Sequence, residues 1–312
     1  MEKNVRAEGQ TSIYLLLLLV PLFWGGAFGA SKHVLSEIPP FVTATLRFGL
    51  AGLILVGWLT LKKGWDLKLL KERWKGLLLL SLTGIFGYNA FFFMGLQFTS
   101  ATNGSLVVAM NPVSTTLAAV IFLGEAWSRR LGLGMALSLC GLLVVITGGS
   151  WETIRTMSFN TGDIMLLGSV ASWSIYSATG KVLLKGMSSL FVTTVTTVAG
   201  AIALFVASLF EGGWAKVPDL SMQAMVELVY MAVFASVIAF VVWNLGIQRI
   251  GASRTSAYVN LVPICATTIA VLLYGEQVTW AHAVGVMLTV SGVLITTRSP
   301  SQQKVASVRE NV

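Results

Sequence analysis

Charged residues are scarce in this 312-residue chain: Asp, Glu, Lys and Arg make up 11% of it, against about 25% in soluble domains. The two cysteines, Cys140 and Cys265, lie inside apolar runs, so neither a disulfide framework nor a metal site is expected. The chain lacks G-x-x-x-x-G-K-[ST] and H-E-x-x-H, which argues against ATP hydrolysis and zinc proteolysis. We therefore predict no catalytic residue, no metal ligand, no cofactor and no enzyme activity.

Apolar residues are abundant instead. They form 55% of the chain, and the mean hydropathy is +0.79. A helix that spans a bilayer needs about 20 apolar residues, and ten segments approach this length. They are residues 12–31, 39–61, 75–95, 101–123, 131–148, 162–182, 189–210, 224–246, 253–274 and 280–297. The sequence predicts an all-α polytopic membrane protein with ten transmembrane helices.

The distribution of basic residues predicts the orientation of these helices. If the ten segments alternate in direction, one side of the membrane carries seventeen Lys and Arg residues and the other carries Lys32, Arg155 and Lys216. Since cytoplasmic loops are enriched in Lys and Arg, both termini are predicted to be cytoplasmic. The net charge of +8 is then a topology signal, and the expected partners are the lipid bilayer and a small-molecule substrate, with no nucleic acid. The sequence leaves monomer and homodimer open.

Two halves of the chain repeat each other. Shifting the chain by 151 residues superposes 95–143 on 246–294 without a gap, and nearer the start of each half the offset is 149, which pairs Trp24 with Trp173. Each half holds five helices, so the second half enters the membrane from the opposite side. Such inverted-topology repeats are typical of secondary transporters, although an old duplication kept for stability is an alternative.

The repeat defines the predicted organisation of the chain. A cytoplasmic N-terminal segment (1–11) precedes the first five-helix repeat (12–148), and an extracytoplasmic linker (149–161) leads to the second repeat (162–298) and a cytoplasmic tail (299–312). The basic residues and leucine run near the N-terminus are also features of a cleaved signal peptide. We interpret this stretch as a retained first helix, because its removal would leave nine helices and spoil the repeat.

A proline interrupts the fourth segment of each half, in "MNPVSTTLAAVIFLGE" (110–125) and "LVPICATTIAVLLYGE" (261–276). Pro112 and Pro263 have no N–H to offer the carbonyls of Val108 and Val259. Broken helices near the membrane midplane often build transporter sites, so Asn111 and Asn260 become candidate binding residues. Packing between helices is the alternative role of such polar residues.

Aromatic and amide residues of other helices lie at a similar predicted depth. Together with the two asparagines they suggest a central cavity with aromatic walls, and ordinary core packing is the alternative. The predicted substrate-binding residues are Trp24, Tyr88, Asn89, Phe92, Asn111, Trp173, Tyr176, Trp243, Asn244 and Asn260, with helix breaks at Pro112 and Pro263.

Three charged residues are candidates for a gate or a structural role. Arg47 lies about two turns inside the second segment, where it could bind a carboxylate, act as a gate or extend to the outer interface. Glu125 and Glu276 end the fourth helix of each half, on opposite membrane faces. No Asp or Glu falls in the middle third of a predicted helix, so no carboxylate proton relay is predicted.

The chain resembles the EamA-type family of the drug/metabolite transporter superfamily. The resemblance rests on the five-plus-five helices, "WGGAFGASK" in the first segment, "TLRFGLAGL" in the second and the Pro…Gly-Glu pattern of the fourth and ninth. It implies an inner-membrane transporter that exports amino acids or related small amphipathic metabolites by alternating access. Efflux of drug-like compounds, import of a metabolite, and a non-transporting scaffold or sensor are the alternatives.

Overall fold

The computed structural model describes residues 12–98, 107–108, 110–156, 160–265, 268–269 and 280–297. Every regular element within these ranges is helical. The first half contributes α1 (Ser12–Glu37), α2 (Pro40–Leu61), α3 (Leu67–Phe98), α4 (Asn111–Leu123) and α5 (Arg129–Thr147). The second half contributes α6 (Thr161–Leu183), α7 (Ser189–Glu211), α8 (Met222–Ile250), α9 (Ala252–Ser256) and α10 (Trp280–Thr297).

The helices are those of a polytopic membrane protein. Five of the described helices, α1, α2, α3, α7 and α8, are long and apolar enough to cross a membrane, and α4 is a shorter apolar helix. Large apolar side chains such as Phe122, Phe210 and Leu53 lie on the outer surface, whereas many Ser and Thr side chains are buried between the helices. This distribution suits a protein surrounded by lipid. It confirms the helical membrane fold that hydropathy predicts.

Two of the predicted helix boundaries are wrong. The first helix continues past residue 31 to Glu37, and the third begins at Leu67 instead of residue 75. The early start of α3 has a local cause, because Asp66 Oδ1 accepts the backbone N–H of Leu69 at 2.8 Å. This N-cap satisfies one of the free donors at the helix start, so the connection after α2 is shorter than the sequence suggested.

Equivalent helices of the two halves run antiparallel where they meet. In the α5–α10 pair, Gly134 lies against the carbonyl of Gly292, and Gly141 lies against the carbonyl of Gly285. The repeat exchanges these two contacts, since Gly134 corresponds to Gly285 and Gly141 to Gly292. The earlier glycine of α5 contacts the later glycine of α10, and the later glycine of α5 contacts the earlier one of α10. The two helices therefore run in opposite directions.

The packing of α3 against α6 is repeated by α8 against α1. Gly95 of α3 packs on Leu166 of α6, and the equivalent Gly246 of α8 packs on Leu17 of α1. Leu17 and Leu166 are themselves separated by the repeat offset of 149. Equivalent residues of the two halves therefore make the same contact, as a two-fold relation between two inverted repeats requires.

Candidate functional site

The third helix of each half contains a π-helical segment. Ser81–Gly87 lies within α3, and Met231–Ile238 lies within α8. A π-helical turn alters the backbone hydrogen bonding and is frequent at functional sites. In each segment the carbonyl of the fifth residue accepts a side-chain N–H: Asn89 Nδ2 donates to Ile85 at 2.7 Å, and Trp24 Nε1 donates to Ala235 at 2.9 Å.

Three tryptophans meet beside these segments: Trp24 and Trp173 lie near the middle of α1 and α6, and Trp243 lies seven residues before the end of α8. The ring centroids of Trp24 and Trp173 are 5.3 Å apart, those of Trp24 and Trp243 are 5.3 Å apart, and those of Trp173 and Trp243 are 5.2 Å apart. Phe240 of α8 contacts two of them, Trp24 and Trp173. We call Trp24, Trp173, Trp243 and Phe240 the central aromatic cluster; it joins α1 of the first half to α6 and α8 of the second.

The predicted residues Tyr88, Phe92 and Tyr176 extend the central aromatic cluster. The rings of Tyr88 and Tyr176 lie 5.1 and 5.4 Å from that of Trp173, and Phe92 stacks on Tyr88 at 5.6 Å. The predicted cavity walls are thus brought together, but their rings pack on one another instead of facing across an open space.

A buried polar chain runs along one side of the cluster. Tyr176 Oη donates to Asn244 Oδ1 at 2.7 Å, and Asn244 Nδ2 donates to Thr193 Oγ1 at 2.9 Å. The predicted residues Tyr176 and Asn244 therefore belong to one hydrogen-bonded unit. Both are fully enclosed, so this unit fixes the position of α8 against α6 and α7.

Two indole donors of the cluster are buried and have no hydrogen-bond partner among the residues that the structure describes. They are Nε1 of Trp173 and Nε1 of Trp243. Buried polar groups in proteins are almost always paired, and leaving one unpaired costs about 1–3 kcal/mol. Two such donors in adjacent rings define a place where a hydrogen-bond acceptor from outside the chain would be stabilised.

The backbone is irregular next to both prolines at which the sequence predicts a helix break. Helix α4 begins at Asn111 with Pro112 in its first turn, and α9 tightens into a 3₁₀ segment, Ala257–Leu261, just before Pro263. Val108, Asn111, Val259 and Asn260 beside the prolines are buried, whereas Met110 is exposed on the outer surface. The carbonyl of Val259 is not free as predicted, however, because it accepts the N–H of Val262.

The two asparagines beside the prolines have different surroundings. Asn260 Nδ2 donates to Ser138 Oγ of α5 at 2.6 Å, while its Oδ1 is buried without a partner. Asn111 is buried as well, and its Oδ1 also has no partner. Asn260 thus contacts α5 instead of the central aromatic cluster, and each amide retains one unused acceptor.

Arg47 lies beside the cluster in the middle of the protein. Its Nε donates to Ser236 Oγ at 2.9 Å, and Ser236 follows Ala235 in the π segment of α8. The guanidinium stacks on the Phe48 ring at 4.8 Å. Because Ser236 is fourteen residues inside α8, the Arg47 side chain does not extend to the outer interface.

Glu125 forms a buried polar contact between the halves. Its Oε1 is 3.1 Å from Lys181 Nζ, and its Oε2 accepts from Ser253 Oγ at 2.5 Å. Gly251, with φ +87°, lets the chain pass beside this carboxylate. We call Glu125, Lys181 and Ser253 the interhalf lock, since it joins the end of α4 to α6 and α9. Glu276, the repeat equivalent of Glu125, lies outside the described residues.

Several residues of this region were missed by the sequence analysis. The π segments, Phe240 and Ser236 carry no motif that separates them from ordinary apolar or small helix residues. A signal existed for Phe240 alone, which stands 151 residues after the predicted Asn89. The repeat thus places an aromatic ring in one half where the other half has an amide.

The fold and its central site define a polytopic helical protein built from two inverted repeats, the architecture of secondary transporters. The family model described as the EamA-like transporter family matches this chain twice, over residues 11–147 and 160–298. The chain belongs to this family of membrane transporters.

Individual relatives support the assignment. The chain is similar to the "Uncharacterized transporter YyaM" of Bacillus subtilis, with 35% identity over 91% of this chain and 92% of the relative. An "Uncharacterized transporter" of Archaeoglobus fulgidus is 30% identical over 93% of this chain and 98% of its own length. A solved crystal structure shares the fold, with a TM-score of 0.76 at 21% identity, and covers 92% of this chain and 97% of its own.

Proposed function

We propose that this protein is a secondary transporter that exports amino acids or related small amphipathic metabolites by alternating access. It acts without a cofactor and without enzyme activity. The family supports transport, and the inverted halves supply the two-fold relation on which alternating access depends. The substrate lies between the halves, at the central aromatic cluster.

One observation carries the proposal: Nε1 of Trp173 and Nε1 of Trp243 are buried side by side without acceptors. A substrate with a carboxylate or amide oxygen would accept these hydrogen bonds and remove the cost of leaving them unpaired. The aromatic faces around them suit an apolar side chain or, through cation–π contact, an ammonium group. Small amphipathic metabolites combine these features. The rings pack on one another in this structure, so they must separate to admit the substrate.

The interhalf lock supports a mechanism in which one side opens at a time. It holds the end of α4, in the first half, against α6 and α9 of the second. The distribution of basic residues favours a cytoplasmic location for this end of the molecule. We therefore propose that the cytoplasmic path is closed here, and that Glu125 must leave Lys181 and Ser253 before the substrate can enter from inside the cell.

The same charge distribution supports the proposed location in a bacterial-type cytoplasmic membrane, with both termini inside the cell. The repeats then occupy residues 12–148 and 162–298, and the linker 149–161 is extracytoplasmic. A labelling experiment at single cysteines placed in the tail 299–312 and in the linker would test this arrangement, since only the linker should react with a membrane-impermeant thiol reagent in intact cells.

Counterflow in proteoliposomes tests the function. Purified protein is reconstituted into vesicles loaded with one unlabelled amino acid at a time, and entry of the labelled amino acid is followed. Transient accumulation with one set of amino acids would establish transport and identify the substrate class. Absence of accumulation with every amino acid, from folded protein, would contradict the proposal. Drug-like compounds and other metabolites would then be tested in the same vesicles, and failure of these too would favour a non-transporting scaffold.

A further inference from the structure

Arg47 is a buried charge without a carboxylate partner. Its side chain is 8% exposed, and its contacts are the hydrogen bond to Ser236 and the Phe48 ring. Among the described residues, every ion pair within 4.0 Å involves a different cation, either His33 or Lys181. The positive charge of Arg47 is therefore not neutralised by the part of the chain that the structure describes.

An unpaired charge at this depth is costly. Arg47 lies seven residues into α2, about 10 Å along the helix axis at about 1.5 Å per residue. Charged side chains inside membrane helices face protein or water and most often serve function. A purely structural arginine would gain several hydrogen bonds from carbonyls or a carboxylate, whereas the described partner of Arg47 is the single hydroxyl of Ser236.

The neighbourhood of Arg47 contains donors that point to an anion. The guanidinium lies over the Phe48 ring, whose centroid is 6.0 Å from that of Phe240 in the central aromatic cluster. Its partner Ser236 follows Ala235, whose carbonyl accepts Trp24 Nε1. The Nε1 donors of Trp173 and Trp243, which have no partner among the described residues, therefore belong to the cluster that Arg47 adjoins. A cation and two unpartnered N–H groups are chemically complementary to a carboxylate, which accepts several hydrogen bonds and pairs bidentately with arginine.

We propose that Arg47 binds the carboxylate of the transported substrate, so that the substrates are carboxylate-bearing metabolites such as zwitterionic amino acids, and not cationic drugs or amines. This inference rests on the proposed transport function and specifies its substrate class. The substrate carboxylate forms the ion pair with the Arg47 guanidinium. The apolar remainder of the substrate lies among the rings of the central aromatic cluster. A cation without a carboxylate would be repelled by the guanidinium.

A matched set of four probes tests the proposal on the full-length protein. Leucine carries both charged groups, 4-methylpentanoate lacks the ammonium, leucinamide lacks the carboxylate charge, and isopentylamine lacks the carboxylate altogether. None of them absorbs where tryptophan does, so quenching of intrinsic tryptophan fluorescence and thermal stabilisation both report binding. We expect leucine and 4-methylpentanoate to bind the wild type at least about tenfold more tightly than the other two, as the loss of a charge-assisted bond predicts.

Variants of Arg47 sharpen the test. Arg47→Gln should weaken leucine binding by about ten- to a hundredfold and leave leucinamide binding unchanged or tighter, because the repulsion of its ammonium group is removed. Arg47→Lys keeps the charge and should retain the preference for leucine over leucinamide at reduced affinity. Arg155→Gln, on the exposed helix Trp151–Thr156, is the matched control and should bind all four probes as the wild type does.

The outcomes separate the two proposals. If the wild type binds leucine and leucinamide equally well, or if Arg47→Gln keeps the full preference for leucine, the carboxylate role of Arg47 is overturned and the transport function stands. If the wild type responds to none of the four probes, the amino-acid substrate class fails together with this inference. Should Arg47→Gln not fold, the comparison of the four probes on the wild type still decides the matter.

Discussion

Trp24 and Trp173 are repeat equivalents that touch across the two halves, with ring centroids 5.3 Å apart and planes inclined at 78°. Their hydrogen bonding differs: Trp24 Nε1 donates to the carbonyl of Ala235, and Trp173 Nε1 is buried without an acceptor. The two-fold relation between the halves is thus broken at its centre. A site for an asymmetric solute needs such a difference, because equivalent positions must offer unlike groups.

Replacing each of these tryptophans by phenylalanine should separate structure from binding. Trp24→Phe removes the partner of the Ala235 carbonyl and should lower the free energy of unfolding by about 1–2 kcal/mol. Trp173→Phe removes a donor that has no partner, so it should change stability less and weaken leucine binding more, by about tenfold. Thermal unfolding in detergent and fluorescence titration measure the two effects. Equal effects of both substitutions on stability and on binding would contradict this assignment.

Weakening the interhalf lock should open the proposed cytoplasmic path. Glu125→Gln keeps the shape of the side chain but removes its charge attraction to Lys181. The loss of about 1.4 kcal/mol corresponds to a tenfold shift between closed and open states. A cysteine at Ser177, one turn before Lys181 and buried in this structure, should then react with a thiol reagent about tenfold faster. The background for this measurement carries Cys140→Ala and Cys265→Ala.

The control for the lock is Glu152→Gln, the same change at an exposed carboxylate on the helix Trp151–Thr156. It should leave the reactivity at position 177 unchanged. An equal rate for Glu125→Gln and the control, from protein with normal thermal stability, would show that the contact of Glu125 with Lys181 does not hold the path closed.

Asn260→Leu tests whether the asparagine beside Pro263 takes part in transport. The change removes both the bond to Ser138 and the unpartnered Oδ1 acceptor. Ser138→Ala removes the same bond, together with the bond from Ser138 Oγ to the Met135 carbonyl, and keeps the Asn260 amide, so it is the matched control. We expect Asn260→Leu to abolish counterflow while the protein still reaches the membrane, and Ser138→Ala to retain most of it. If both variants transport equally, Asn260 serves in packing between α9 and α5.

The crossing of α5 and α10 should tolerate no added side-chain atom at Gly134. A Cβ there would lie 2.6 Å from the carbonyl oxygen of Gly292, so Gly134→Ala forces the helices apart. We expect a loss of about 1–3 kcal/mol, as for other overpacked contacts. Gly29→Ala in α1 meets no atom within 4 Å and should leave the unfolding temperature unchanged or slightly raised. Equal unfolding temperatures for the two variants would refute this packing.

Much of the fold could be predicted from the sequence. Apolar segments gave the positions of most helices, because a bilayer demands about 20 apolar residues for each crossing. The repeat of Gly134 as Gly285 and of Trp24 as Trp173 predicts two inverted halves from the sequence alone. The ends of α1 and α3 were less predictable, since helices can continue beyond the apolar run when a cap such as Asp66 stabilises them.

The site was only partly predictable. Aromatic residues at similar depth pointed to Trp24, Trp173 and Trp243, and the structure brings these three together. Their arrangement as a closed cluster differs from the predicted cavity. The positions of residues along apolar segments indicate their depth in the membrane, but not whether their rings face each other or an open cavity. The two π segments were missed for a related reason: their residues have ordinary helix propensities, and no motif in the sequence marks the altered hydrogen bonding.

The sequence by itself therefore determined the membrane setting, the helices and the inverted repeat, all of which follow from periodic or local properties of the chain. Only the tertiary structure decided which polar groups remain unpaired. Trp173 and Trp24 occupy the same place in their repeats, yet one meets the carbonyl of Ala235 and the other meets none. Hydrogen-bond satisfaction depends on distances between helices far apart in sequence, and no pattern along the chain encodes them.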